Sequence, residues 1–382
     1  MLPFSSFEFF IIMALFVMIP AILKNFMKPE HYKYVLAFLN FAFLTIWFPQ
    51  PWHFFALVVY SYFLIWLLSD KLNVQNRIYG VLLLLLPMLL VKFDIRGGDM
   101  NKWLPFAGLS YASFRFMGYY MDKAPEEKIV NVASYFNFLS FTPTMLIGPI
   151  DRMNRFKASE DNGFAAITTD NFIAGWNAFV KGLAFKYVCA ELIDRYWLNI
   201  FPEESTELLH MANTMYAYYF YLFFDFAGYS FMALGIGKMM GIIVPVNFTN
   251  PFFARNPPDF WKRFHISLGD WLKDYFFTPL YLFMSRKKSM KKYPVTRQNI
   301  ALFLTFLLMG CWNGFRGNFV ISGAVLGLYS VVYNTYAIQC KKKGRDVVFG
   351  NMNPKVVTVI SIFMLFNLIA FALYIFSGKL HI

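Results

Sequence analysis

Long stretches of the chain carry no Asp, Glu, Lys or Arg: residues 9–23, 35–69, 78–91, 129–150, 298–315, 317–340 and 356–378. Several reach the ~20 residues that a helix needs to cross ~30 Å of hydrocarbon. The run 35–69 is too long for one crossing. Pro49-Gln50-Pro51 places a turn near its middle, because proline cannot continue a helix and disfavours helix in the residue before it. The pattern therefore predicts two helices there and others at about 78–92, 104–121, 129–149, 171–195, 209–238, 267–285, 298–311, 317–339 and 356–377. With residues 9–23 these make roughly twelve candidate transmembrane helices, some of them re-entrant, joined by short interfacial helices.

Composition agrees with this reading. Hydrophobic residues make up 58% of the 382 and charged residues only 15%, against about 25% charged in an average soluble chain. The expected fold class is an all-α polytopic membrane protein in contact with the lipid bilayer. The net charge of +13 raises the question of a nucleic-acid partner, but the cations sit in short connectors such as 286–297 and 341–345. Positive-inside placement explains that pattern better, so no nucleic acid is expected. The basic clusters at Lys24/Lys28, Lys71/Arg77, 286–297 and 341–345 then share the cytoplasmic side, and an even number of crossings puts both termini outside. Glu8 before the first apolar run, with Lys24 and Lys28 after it, is the reverse of a cleavable leader. Three cysteines without C-x-x-C spacing indicate neither a disulfide framework nor a metal site. No fixed repeat and no linker divides the chain, which favours one membrane domain over 1–382.

Residues 245–276 break the apolar pattern with interleaved polar, aromatic and charged side chains. Irregular backbone is excluded from contact with lipid by its unpaired amide groups, so this segment must be buried in protein or line water. Within it, FWKRFHISLGDW gathers Trp261, Arg263, His265, Asp270 and Trp271. A neutral imidazole there can take a proton from a hydroxyl, although a lone histidine also serves as a structural residue. Asp225, inside an apolar run, costs ~2.5–3.5 kcal/mol at bilayer depth, which calls for a partner and an inward face. It is a candidate substrate ligand or a tie between helices. The chain has no phosphate-binding P-loop, zinc-protease or nucleophile-elbow motif. Gly/Pro interruptions are present without two matching halves, so a transporter stays the alternative on pattern alone.

The stretches YLFFDFAGYSFMALGIGKMMGI, PVNFTNPFFARN and DFWKRFHISLGDWLKDYFFTPL together resemble the signature block of the membrane-bound O-acyltransferases. Within that family, the resemblance is to the members that act in teichoic acid D-alanylation. It implies a funnel of membrane helices with a thin floor, in a bacterial plasma membrane. It further implies a D-alanyl donor held as a thioester on the phosphopantetheine of a small acyl carrier protein. The implied acceptor is a hydroxyl of lipoteichoic acid, or a membrane partner of the pathway, with no bound cofactor and no metal. His265 matches the first family histidine, and the second, presumed catalytic one falls at Asn313 in Trp312-Asn313-Gly314. An asparagine amide hydrogen-bonds but is no base near neutral pH. Leu326 stands where relatives often show a further histidine. Besides His265 and Asn313 as catalytic candidates, the matched stretches offer Asp225, Tyr229, Trp261, Arg263 and Trp312 for substrate. Arg286, Lys287 and Lys288 are candidates for carrier binding, and positive-inside topology accounts for the same residues. Two further readings stand beside the D-alanyl transferase: a catalytically silent homologue and an O-acyltransferase with another acceptor.

Overall fold

A computed structural model describes residues 7–69, 74–93, 108–200, 207–344 and 353–380. Met1, Lys71, residues 104–107, Arg345 and Ile382 lie outside the described residues, so the expectations resting on them are not addressed. The described residues form helices and no named strand. The chain divides into two compact units, Met1–Leu183 with Tyr229–Val246 and Ala184–Gly228 with Asn247–Ile382.

The first unit begins with α1 (Phe7–Leu23), α2 (Tyr32–Trp47) and α3 (Trp52–Leu68). The turn between α2 and α3 falls at the expected prolines. Along α1, Phe9, Met13 and Phe16 are buried while Ile11, Leu15, Met18 and Ile22 are exposed. Both faces are thus apolar, as a lipid-facing helix requires. After α4 (Val74–Phe93) and α5 (Leu109–Asp122), the expected helix at 129–149 shrinks to α6 (Val132–Ser140). A tight turn at Thr142–Thr144 and irregular chain follow it. The uncharged run overstated the helix because Pro143, Gly148 and Pro149 interrupt it. Buried Arg115 satisfies the backbone released there, donating to Phe138 O at 2.9 Å, Leu139 O at 3.3 Å and Thr144 O at 2.8 Å.

α7 (Met153–Ala166) has no counterpart in the expected helices, since it is polar and too short to span. It carries buried Glu160, which accepts from Ser134 and from Asn137 at 2.7 Å. Burial pushes that carboxyl above its ordinary pKa, against the opposing hydrogen bonds. α8 (Thr169–Leu183) crosses α9 (Leu208–Met239) closely within this unit. A Cβ on Gly175 would lie 2.7 Å from Gly235 O.

In the second unit, the helix begun by α8 continues through π-helical turns at Ala184–Ala190 and Asp194–Leu198. α10 (Pro257–Trp261) is short, and α11 (Ile266–Leu272) runs through a π turn into α12 (Thr278–Arg286). The last helices are α13 (Pro294–Asn313), α14 (Gly317–Lys342) and α15 (Pro354–Ser377). α13 and α14 touch backbone to backbone: a Cβ on Gly323 would lie 2.6 Å from Phe306 O, and one on Gly310 2.4 Å from Phe319 O. Small residues permit this approach where no hydrophobic force drives helices together in lipid. Ser322 Oγ donates to Ala372 O at 2.7 Å, tying α14 to α15.

Among the described residues, Leu208–Met239, Gly317–Lys342 and Pro354–Ser377 are long and apolar enough to cross a membrane. Phe9–Leu23, Trp52–Leu68 and Arg77–Val91 are apolar but shorter.

Candidate active site

The segment that had to pair its own amide groups does so. Thr249 N donates to Arg263 O at 2.9 Å and Ile266 N to Asn247 O at 3.1 Å, around an isolated bridge between Phe248 and Phe264. Asn247 Oδ1 accepts from Ser267 Oγ at 2.6 Å and Ser267 N at 3.1 Å, fixing the start of α11. The irregular chain is therefore confined to the residues before 266, and the expected helix at 267–285 is present.

Asn256 caps α10 by accepting from Asp259 N at 2.9 Å, while Asp259 accepts from Arg255 N at 3.0 Å and Arg263 Nε at 2.8 Å. Burial raises the Asp259 pKa, but the Arg263 hydrogen bond, the Arg255 amide and both guanidinium charges outweigh it and hold the carboxyl below its usual range. Arg263 is thus bound to Asp259.

His265 precedes α11 with φ 48° and ψ 49°, the left-handed conformation sparsely used by residues other than glycine. Its ring meets the edge of Phe226 at 4.7 Å. The residue is half-buried, and its Nδ1 is fully buried with no hydrogen-bond partner among the described residues. Burial pushes the imidazole pKa well below the ordinary value, which keeps the ring in its neutral form around neutrality.

His265 lines a cavity of about 360 Å³, within the size range of small-ligand sites. Trp261, Leu268, Leu302, Phe306 and Met309 supply apolar wall, and Trp261 lies against Phe306 at 5.1 Å. Leu302, Thr305, Phe306 and Met309 form one stripe of α13. The polar groups include Asp270, Lys273, Gln298 and Asn334. Asn334 is oriented by donating to Asn299 Oδ1 at 2.7 Å.

Of the sequence candidates, the cavity joins Trp261 and His265. Asn313 is one turn beyond Met309 on α13, exposed, its amide donating to Met309 O at 2.9 Å. Neither Asn313 nor Trp312 lines the cavity. Asp225 has the partner its burial cost demanded, an ion pair with Lys186. Tyr229 is buried in the first unit and donates to Pro143 O at 2.9 Å. Arg286, Lys287 and Lys288 are exposed at the end of α12, with Lys287 Nζ 4.7 Å above the Phe283 ring. Gln298 and Asn334 escaped the sequence reading because neutral amides scarcely disturb an apolar run. Their signal was polarity at positions where lipid-facing helices place none.

The chain belongs to the membrane-bound O-acyltransferase family, whose profile matches residues 34–376. It is 29% identical to a teichoic acid D-alanyltransferase of Bacillus subtilis over 99% of this chain and 98% of that protein. It is 31% identical to a teichoic acid D-alanyltransferase of Streptococcus thermophilus, covering 78% of this chain and 74% of the relative. A peptidoglycan O-acetyltransferase of Helicobacter pylori is 32% identical over 61% of this chain and 42% of its own length. The chain is a membrane acyltransferase by family, and its relatives differ in acyl group and acceptor.

Proposed function

We propose that this protein transfers D-alanine from the phosphopantetheine thioester of an acyl carrier protein to a hydroxyl of lipoteichoic acid or a pathway partner. The observation carrying this reading is the cavity that exposes a neutral, otherwise unengaged imidazole at His265 beside the α13 stripe leading to Asn313. In the reaction, the acceptor oxygen attacks the thioester carbon, an ester C–O bond forms and the C–S bond breaks. His265 takes the hydroxyl proton and returns it to the departing thiolate, so no other reactant is required. Trp261 bounds the acyl site, while Trp312 and Asn313 lie outside the cavity lining, one turn beyond Met309, and act on groups that approach it from there. Asp225, paired with Lys186, and Tyr229, which donates to Pro143 O, act through helix placement. Exposed Arg286, Lys287 and Lys288 attract an acidic carrier through long-range charge.

The roughly twelve crossings and external termini belong to the same proposal. Cysteine-accessibility labelling should find residues 286–297 cytoplasmic and positions near 1 and 382 external. Termini on opposite faces would contradict the even count.

Asn313 favours a second reading, a silent homologue that binds carrier without turnover. A radiolabelled D-alanyl transfer assay with charged carrier decides between them. General-base catalysis contributes typically ~10²- to 10⁴-fold, so an increase in that range for Asn313→His places the missing base at the end of α13. Efficient transfer by the unaltered protein, with no increase, places the proton transfer on His265 alone. Absence of transfer in both forms, with carrier binding intact, supports the silent homologue.

A further inference from the structure

Three charged side chains on the wall of the His265 cavity take no part in the ion pairs and side-chain hydrogen bonds among the described residues. Lys262, Asp270 and Lys273 all line it and all are exposed. None has an ion-pair or side-chain hydrogen-bond partner among the described residues. Asp270 is the one carboxylate among the lining residues. Nearby Asp259 is consumed by α10 and Arg263, whereas the Asp270 carboxylate remains available. It follows His265 by five residues, and the two side chains line the same cavity.

The acyl group determines what a carboxylate can do there. Acetyl carries no charge and gives Asp270 nothing to bind. An aminoacyl group carries an ammonium on the carbon next to its carbonyl, and Lys262 and Lys273 would repel that ammonium unless a carboxylate offset them. We infer that Asp270 is a specificity-determining residue that holds the α-ammonium of an aminoacyl substrate while the carbonyl carbon sits at His265. It thereby selects aminoacyl over uncharged acyl groups. The apolar wall at Leu268, Leu302 and Phe306 accepts the rest of a small acyl group without competing for the charge.

This inference rests on the aminoacyl-transfer reading, and one binding experiment separates the two. Stable amide analogues, D-alanyl-cysteamine and propionyl-cysteamine, differ essentially in the ammonium. Their affinities are measured for the purified full chain, Asp270→Asn and Asp270→Glu. The unaltered protein should prefer the D-alanyl analogue by about tenfold, near the low end for a hydrogen bond to a charged group. Asp270→Asn should lose that preference with propionyl binding unchanged, which also shows that the variant is folded, and Asp270→Glu should keep part of it. The same preference in Asp270→Asn overturns the role of Asp270 and leaves aminoacyl transfer standing. No preference for the D-alanyl analogue in the unaltered protein overturns both.

Discussion

At the residue scale, the decisive feature is a histidine held neutral by burial at a backbone conformation few side chains adopt. The polar-aromatic break in the chain located His265 and Trp261, and an ionisable group inside an apolar run located Asp225. Spacing could not reveal that the Arg263 guanidinium is committed to Asp259, or that Lys186 answers Asp225, because both depend on which helix turns face each other. The depressed basicity of His265 has a kinetic consequence. A group whose pKa is lowered in the folded protein stays in its basic form as pH falls, so the acid limb of kcat/KM should lie below the ordinary imidazole pKa of about 6.5. A pH profile of D-alanyl transfer with an acid limb at 6.5 or above would contradict this placement of the ring.

At the element scale, hydrophobic runs identified α1 to α4, α9 and the three last helices, and among the described residues Leu208–Met239, Gly317–Lys342 and Pro354–Ser377 reach the length that crossing a membrane requires. The runs overstated α6, where prolines stop a helix inside an uncharged run, and overlooked α7, whose stability comes from packing and from Glu160 rather than apolar length. The charged connector before α13 also hides structural work. Buried Arg297 donates to Met290 O at 3.1 Å and Lys291 O at 3.4 Å, closing the turn it was counted in only as a cation. The α13–α14 contact carries the cavity wall, so it should tolerate no bulk. Gly323→Val places a branched side chain where a single Cβ would already lie 2.6 Å from Phe306 O. Overpacking of this kind costs about 1–3 kcal/mol or more. Thermal unfolding in detergent should show a lowered Tm, with ligand binding in the His265 cavity weakened together with it. An unchanged Tm would mean that α13 and α14 do not pack this closely.

At the scale of the whole molecule, the chain is a member of an acyltransferase family along nearly its full length, and it departs from the resembled pattern where that pattern places its second histidine. Family membership was legible because two of the three signature stretches lie in or overlap the segment 245–276, which breaks the apolar pattern, and the third carries Asp225 inside an apolar run. What the chain retains of the chemistry was not, since it depends on whether His265 faces open space, a property of packing. The proposal that the His265 cavity is the reaction centre meets its sharpest test in the rate of D-alanyl transfer from charged carrier by His265→Ala, made both in the unaltered chain and in the Asn313→His form. Loss of the general base should reduce the rate at least ~10²-fold in every background that turns over, with carrier binding retained. Transfer by His265→Ala at the undiminished rate would show that the chemistry happens elsewhere.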